Sequence, residues 1–280
     1  MEVIEDITLM KNCCRKKKLE KKKIGFVATM GALHEGHLSL IERARESSDF
    51  VVVSIFVNPT QFGPEEDFKS YPRNLTMDLK LCQEQAVDVV FVPSEEKMYP
   101  EGFPPRVEVK DRLTEILEGA SRPNHFGGVV TVVAKLFNII LPDVSYFGEK
   151  DYQQALVIKK MVKDLHMDVE IVLSPTVREK DGLACSSRNK YLTLEERKAA
   201  KVLFKSLLAA KAAIEEGEKE SYRIIPSMER LIKEEKLAKI DYIAIVDPEN
   251  LEKVEKIKDK VLIALAVKIG KTRLIDNMLI

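Results

Sequence analysis

Apolar runs rich in β-branched residues recur along the first two thirds of the chain, at 24–28, 50–57, 87–92, 144–147 and 169–173, with helix-length patterns between most of them. The helical stretches are 36–47, 75–85, 127–140 and 151–164, and the third is apolar nearly all round. Strands that read as continuous hydrophobic runs are buried on both faces, and the alternation with helices means βαβ units joined by right-handed crossovers. The constraint is severe: an α/β fold, a Rossmann-like doubly wound parallel sheet, with ligand chemistry at the carboxyl ends of the strands near the switch in strand order. The 127–140 helix is then expected to lie buried against the sheet.

Beyond residue 178 the pattern changes. Leu194 to Glu216 reads as a long amphipathic helix and Tyr222 to Glu235 as a second, followed by β-rich segments at 240–246, 261–267 and 272–275. This predicts a smaller α+β domain over 178–280, behind a larger one over 1–177, with a hinge near 174–190.

Composition excludes several classes of function. The 45 basic side chains balance 45 acidic ones across 280 residues, so the basic surplus of a general nucleic-acid binder is absent. The six lysines between Lys16 and Lys23 read as a solvated helix face. The longest apolar stretch, Val129 to Leu141, is cut by Lys135 and Asn138, and the opening Met-Glu-Val-Ile-Glu-Asp has the wrong charge for a signal peptide, so no membrane association is expected. Cys13, Cys14, Cys82 and Cys185 lack Cys-x-x-Cys spacing, which points to reduced thiols and a cytoplasmic setting rather than a zinc or redox site.

Four clusters carry chemistry. From Gly25 to His37 an apolar run breaks into a glycine-spaced turn, Met30-Gly31-Ala32-Leu33-His34-Glu35-Gly36-His37. A strand running directly into a helix N-terminus presents backbone N–H groups and a positive dipole end to a phosphate chain, and His34 and His37 at i,i+3 spacing share one side of it. Their pairing suits a phosphate clamp better than a metal site, because no third ligand stands at diagnostic spacing. Asn58 and Gln61, after the strand ending near Val57, offer neutral donors and acceptors for hydroxyl and carboxylate groups. Gly148-Glu149-Lys150-Asp151, with Gln153 and Gln154 following, again joins a strand to a helix and adds a cation for phosphate. Cys185-Ser186-Ser187-Arg188 combines hydroxyls and a cation in a loop able to close over departing pyrophosphate. Arg122 and His125 supply donors before the buried helix, whereas His166 reads as structural. Each cluster alone is compatible with an ordinary capped turn; their combination is the signal.

Together they resemble the pantoate–β-alanine ligase (pantothenate synthetase) family, and the likeness runs through nearly the whole chain. Its opening motif is shared in His-x-Gly-His form with nucleotidylyl transferases and class I aminoacyl-tRNA synthetases. The resemblance implies that Met30 to His37, Gly148 to Asp151, Val177 and Cys185 to Arg188 bind ATP. It further implies that Gln61 and Gln154, with Asn58, Arg122 and His125 nearby, hold pantoate and β-alanine. His34, His37, Lys150, Ser186, Ser187 and Arg188 would then be the catalytic set, offsetting charge on a triphosphate bridged by Mg²⁺, with Asp78 a candidate metal-side carboxylate. Two departures from the family's usual pattern, Ala28 in place of Pro and Cys185 in place of Met, remove no charged or hydrogen-bonding group. The implied reaction activates pantoate as an acyl adenylate and passes it to β-alanine, and the implied assembly is a homodimer. The competing reading is a nucleotidyltransferase that stops after adenylylating or cytidylylating a small acid or phosphate.

Overall fold

The computed structural model describes residues 1–101 and 105–280. By internal contacts the chain divides into two compact units: Met1–Gly148 with Gln154–Pro175, and Glu149–Gln153 with Thr176–Ile280. The division lies two residues before the boundary expected after Val177, and the short Glu149–Gln153 segment groups with the second unit.

The first unit is built on six parallel strands, β1 (Glu2–Ile4), β2 (Ile24–Thr29), β3 (Phe50–Ile55), β4 (Val89–Phe91), β5 (Val144–Gly148) and β6 (Glu170–Ser174). Their order is β1-β4-β3-β2-β5-β6. The chain winds outward from β2 through β3 and β4, then returns to place β5 on the other side of β2. The switch point is therefore the β2–β5 seam, where Gly25, Phe26 and Val27 pair with Val144, Ser145 and Tyr146. Ten helices are described along the chain. In the first unit these are α1 (Ile7–Leu19), α2 (Glu35–Ser47), α3 (Leu75–Glu84), α4 (Glu95–Met98), α5 (Glu118–Ser121) and α6 (His125–Ile140); α7 (Tyr152–Asp164) begins in the second unit's segment and continues in the first.

Side chains of β2 alternate between two apolar layers. Val27 packs with Leu40, Ile41 and Ala44 of α2 and Cys82 of α3, while Phe26 meets Phe137 of α6 edge-on, ring centroids 6.2 Å apart. In α6 every residue except Gly127, Lys135 and Asn138 is buried, as its all-round apolar pattern requires. β1 and its pairing with β4 were not legible in the sequence, because three residues carry too little periodicity to register. α1 ends in Lys16, Lys17 and Lys18, whose charges complement the negative end of the helix dipole. His166 is exposed and takes φ 50° just beyond α7.

The second unit contains α8 (Leu194–Ala199), α9 (Lys201–Glu215), α10 (Ser221–Lys233) and the antiparallel sheet β7 (Ala238–Val246), β8 (Leu262–Ile269), β9 (Thr272–Leu279). The single helix expected over 194–216 is two helices meeting at Ala200, the first started by a reciprocal Thr193–Glu196 capping box. Leu203, Leu207 and Ala210 of α9, Ile224 and Met228 of α10, and Ile263, Leu265 and Val267 of β8 form the core. β9 runs four residues past the expected end at 275.

Candidate active site

The turn after β2 is held from beneath. Thr29 Oγ1 donates to the Ser54 carbonyl (2.7 Å) and accepts the Gly31 N–H (3.2 Å). Gly31 (φ 79°) and Ala32 (φ 51°) both take the left-handed conformation. For Ala32 that costs on the order of 1 kcal/mol, so neighbours must impose it. Asp78, from the first turn of α3, does so: Oδ2 accepts the Ala32 N–H at 2.9 Å and Oδ1 the Leu33 N–H at 2.8 Å. The side chain is buried, 2% exposed. Its assignment as a metal-side carboxylate is therefore corrected, since both oxygens shape the main chain of the turn. Sequence reasoning missed this because the partners lie 46 and 45 residues away.

His34 caps α2, its Nδ1 accepting the Gly36 N–H (3.2 Å), and its ring lies 4.1 Å from that of His37. The i,i+3 spacing thus does place both imidazoles side by side at a helix N-terminus, next to the seam where the strand order reverses. Glu35 is exposed in the same first turn.

The second cluster is a chain of oriented amides at the carboxyl end of β3. Asn58 is 1% exposed and fully satisfied: Nδ2 donates to the Gly128 carbonyl (3.1 Å) and to Gln61 Oε1 (3.1 Å), and Oδ1 accepts from Tyr99 Oη (2.7 Å) and Thr60 Oγ1 (2.9 Å). With Gln61 Oε1 thus committed, its Nε2 is directed at Met30 Sδ, 3.1 Å away. Thioether sulfur is a weak acceptor, so this donor remains competent for an oxygen ligand. The contact brings Gln61 beside the first residue of the glycine-spaced turn.

Arg122 and His125 support the same cluster. Arg122 grips Glu66 with two parallel bonds (2.6 and 2.7 Å) and donates from Nη1 to His125 Nε2 (3.1 Å); His125 Nδ1 lies 2.8 Å from the Gln61 carbonyl. A guanidinium can only donate and a carbonyl only accept, so His125 is the neutral Nδ1–H tautomer. Burial, with the Arg122 charge beside it, lowers its pKa to about 4. Opposite charge on Arg122 holds the half-buried Glu66 below the usual carboxylate range against the effect of its burial. In this arrangement the polar atoms of Arg122 and His125 engage protein partners, placing the Gln61 main chain. Glu66, Tyr99 and Gly128 were not singled out in the sequence. The only available signal was the Gly127-Gly128 pair inside an apolar helix, where one glycine proves to be a contact point: a Cβ on Gly128 would stand 2.6 Å from Gln61 Cα.

In the second unit, Glu149–Asp151 forms a short 3₁₀ turn in which Lys150 Nζ and Asp151 Oδ1 are 3.5 Å apart. Val177 accepts the Cys185 N–H (2.9 Å), closing a hairpin whose Arg178 and Ala184 pair. Ser186 caps a 3₁₀ helix over Ser187–Tyr191, with Oγ accepting the Arg188 N–H (3.3 Å). Cys185 thus follows the isolated Arg178–Ala184 bridge directly and leads into the capped turn. Gly148 ends β5, and Gln154 lies half-buried in the first turn of α7. Among the described residues no group of three or more His, Cys, Asp and Glu could hold a metal ion. No described helix is long and apolar enough to cross a membrane.

The family model for pantoate-beta-alanine ligase matches residues 2–279. The chain belongs to that family. It is 58% identical over 280 residues to the pantothenate synthetase of Thermosipho africanus, covering 100% of both chains, and 55% identical to that of Caldicellulosiruptor bescii, covering 100% of this chain and 99% of the relative. The crystal structure of pantothenate synthetase from Thermus thermophilus superposes with a TM-score of 0.95 at 47% identity, covering 99% of each chain. Pantoate-beta-alanine ligase from Francisella tularensis, complexed with beta-gamma ATP and beta-alanine, gives 0.81 at 40% identity, covering 100% of this chain and 97% of that one. The doubly wound sheet and the smaller antiparallel-sheet domain are those of this family.

Proposed function

We propose that the chain is an ATP-dependent ligase that condenses pantoate with β-alanine to pantothenate, releasing AMP and pyrophosphate. The observation that carries this reading is membership of the pantoate–β-alanine ligase family from residue 2 to 279. In the first half-reaction a pantoate carboxylate oxygen attacks the α-phosphorus of ATP and pyrophosphate leaves. In the second the β-alanine amine attacks the acyl carbon, loses a proton and expels AMP.

The mixed anhydride is itself the activated species, so the protein supplies placement, charge compensation and exclusion of water. Met30 to His37 take the nucleotide, the two imidazoles and the α2 N-terminus facing its phosphates. Gly148 to Asp151, Val177 and Cys185 to Arg188 are read as further ATP-binding residues, with Lys150, Ser186, Ser187 and Arg188 offsetting charge as pyrophosphate departs. Gln61 Nε2 is the fixed donor to the acid substrate, joined by Gln154. Asn58, Arg122 and His125 hold Gln61 in register. Because Asp78 is committed to backbone N–H groups, these residues do not form a protein-made cage for Mg²⁺; the ion is read as entering with ATP, on the phosphate oxygens, as part of the substrate. All four cysteines are free thiols, which suits the cytoplasmic setting we assign. A homodimer is the proposed assembly, to be measured by light scattering.

The test is mass detection of pantothenate from ATP, pantoate and β-alanine with purified protein. Omitting β-alanine is expected to abolish pantothenate while pantoate-dependent ATP–pyrophosphate exchange persists. A nucleotide-linked product that accumulates and resists β-alanine would overturn the ligase reading in favour of a nucleotidyltransferase.

A further inference from the structure

β9 buries two successive polar residues: Asp276, on the core-facing side with Thr272 and Leu274, and Asn277, on the opposite face, where Arg273 and Ile275 are only partly buried. Asp276 is 1% exposed and Asn277 is buried beside it. The Asp276 carboxylate meets Arg178 with two parallel bonds, 2.7 Å to Nη1 and 3.0 Å to Nη2, and accepts the Asn277 N–H at 2.8 Å. Arg178 in turn donates to the carbonyls of Gly182 and Asn277 (3.1 Å each) and stacks 4.2 Å over the Phe204 ring. It stands at the base of the hairpin that leads to Cys185. Asn277 Nδ2 sends its two protons to two successive carbonyls, Glu149 and Lys150, each at 2.9 Å. One dipeptide therefore grips two segments that are far apart in the chain.

Stability does not account for this choice. A buried Asp–Arg pair loses on desolvation about what it gains in attraction, and well-packed apolar residues of similar volume do as well or better. Burial raises the Asp276 pKa while Arg178 opposes the rise, which is the balance expected of such a pair. What apolar residues could not do is fix the direction of the Glu149–Lys150 carbonyls and the pitch of the 178–184 hairpin.

We propose that Asp276 and Asn277 are positioning residues for the nucleotide. Asn277 holds the main chain beneath Lys150, and Asp276, through Arg178, holds the hairpin that presents Val177 and Cys185. The inference rests on the ATP-binding reading of those segments. It makes the last strand of the chain part of the adenylation machinery, although neither residue touches ATP.

Two variants test it. Asn277→Asp keeps the shape but removes both donors and sets a carboxylate against two carbonyls. The double variant Arg178→Met/Asp276→Leu exchanges the ion pair for apolar packing, which sustains folding while releasing the hairpin. Each is assayed for ATP KM in pantoate-dependent ATP–pyrophosphate exchange, for β-alanine KM in the overall reaction, and for Tm. The expected result is an ATP KM raised at least about tenfold, equivalent to about 1.4 kcal/mol, with β-alanine KM within about twofold of wild type and the double variant's Tm retained. An unmoved ATP KM in both variants, or a loss of Tm accompanied by equal changes in every KM, overturns the inference while wild-type exchange upholds the ligase reading. Absence of exchange in the wild-type protein overturns both.

Discussion

Gly128→Ala is a one-methyl perturbation whose effect can be worked from the structure. An added Cβ would come closest to the Thr60 carbonyl oxygen, and would lie 2.5 Å from the Thr60 carbonyl carbon and 2.6 Å from Gln61 Cα, where ordinary contact begins at 3.4 Å. All three atoms are backbone, so the Pro59–Gln61 turn must retreat by about 1 Å, or α6 must do so. Either movement stretches the bond from Asn58 Nδ2 to the Gly128 carbonyl and turns Gln61 away from Met30. Displacements near 1 Å at a reacting group cost on the order of 10²-fold in rate, about 2.7 kcal/mol of barrier. Overpacking of this kind costs about 1–3 kcal/mol of stability, which leaves the fold intact. Gly127→Ala is the internal control: nothing lies within 4 Å of its Cβ. Replacing glycine in a helix there should raise stability by about 0.5–1 kcal/mol. Pantothenate formation by mass detection, with circular dichroism to verify folding, is expected to show Gly128→Ala folded but depressed about 10²-fold and Gly127→Ala at wild-type rate. Activity of Gly128→Ala within about threefold of wild type, or an equal loss in both variants, would refute the account of how Gln61 is placed.

Further outcomes follow from other contacts. His37→Ala should leave the fold intact and lower pantoate-dependent ATP–pyrophosphate exchange about 10²–10³-fold, whereas unchanged exchange would remove His37 from the catalytic set. His125 has its pKa lowered to about 4 in the folded protein against 6.5 as the ordinary value, so its neutral form is favoured by folding. The stability this confers is complete above pH 6.5 and is lost as pH falls towards 4, by about 2 kcal/mol between pH 7 and pH 5. Denaturant unfolding of wild type minus His125→Asn should show that difference, and parallel curves would contradict it. Asp78→Asn should cost about 1–3 kcal/mol and raise the ATP KM, because the amide NH2 replaces one of the two accepting oxygens and meets a backbone N–H donor to donor. Raising Mg²⁺ is expected to give no relief; rescue by the metal would restore a ligand role to Asp78.

Much of this molecule is legible before any coordinates. β-Branched runs separated by amphipathic stretches determine a parallel sheet, because strands without alternation must be covered on both faces. The glycine-spaced histidines determine a helix N-terminus with two imidazoles side by side, since i,i+3 spacing is local geometry. The short β1, the break at Ala200 and the full length of β9 were not visible, for they depend on pairing partners or on one residue's conformation rather than on period.

Tertiary structure alone decided which polar residues are partners. Asp78 and the Ala32–Leu33 amides, Arg122 and Glu66, and Asn277 and the Glu149–Lys150 carbonyls are separated by 45 to 128 residues. A hydrogen bond formed across such a distance leaves no periodic trace in either segment. The sequence by itself therefore determined the kind of sheet and the chemistry set along its edge. Only the folded chain determined that Asp78, Arg122 and His125 engage the protein's own backbone and side chains, because a carboxylate, guanidinium or imidazole reads the same in sequence whatever group it meets.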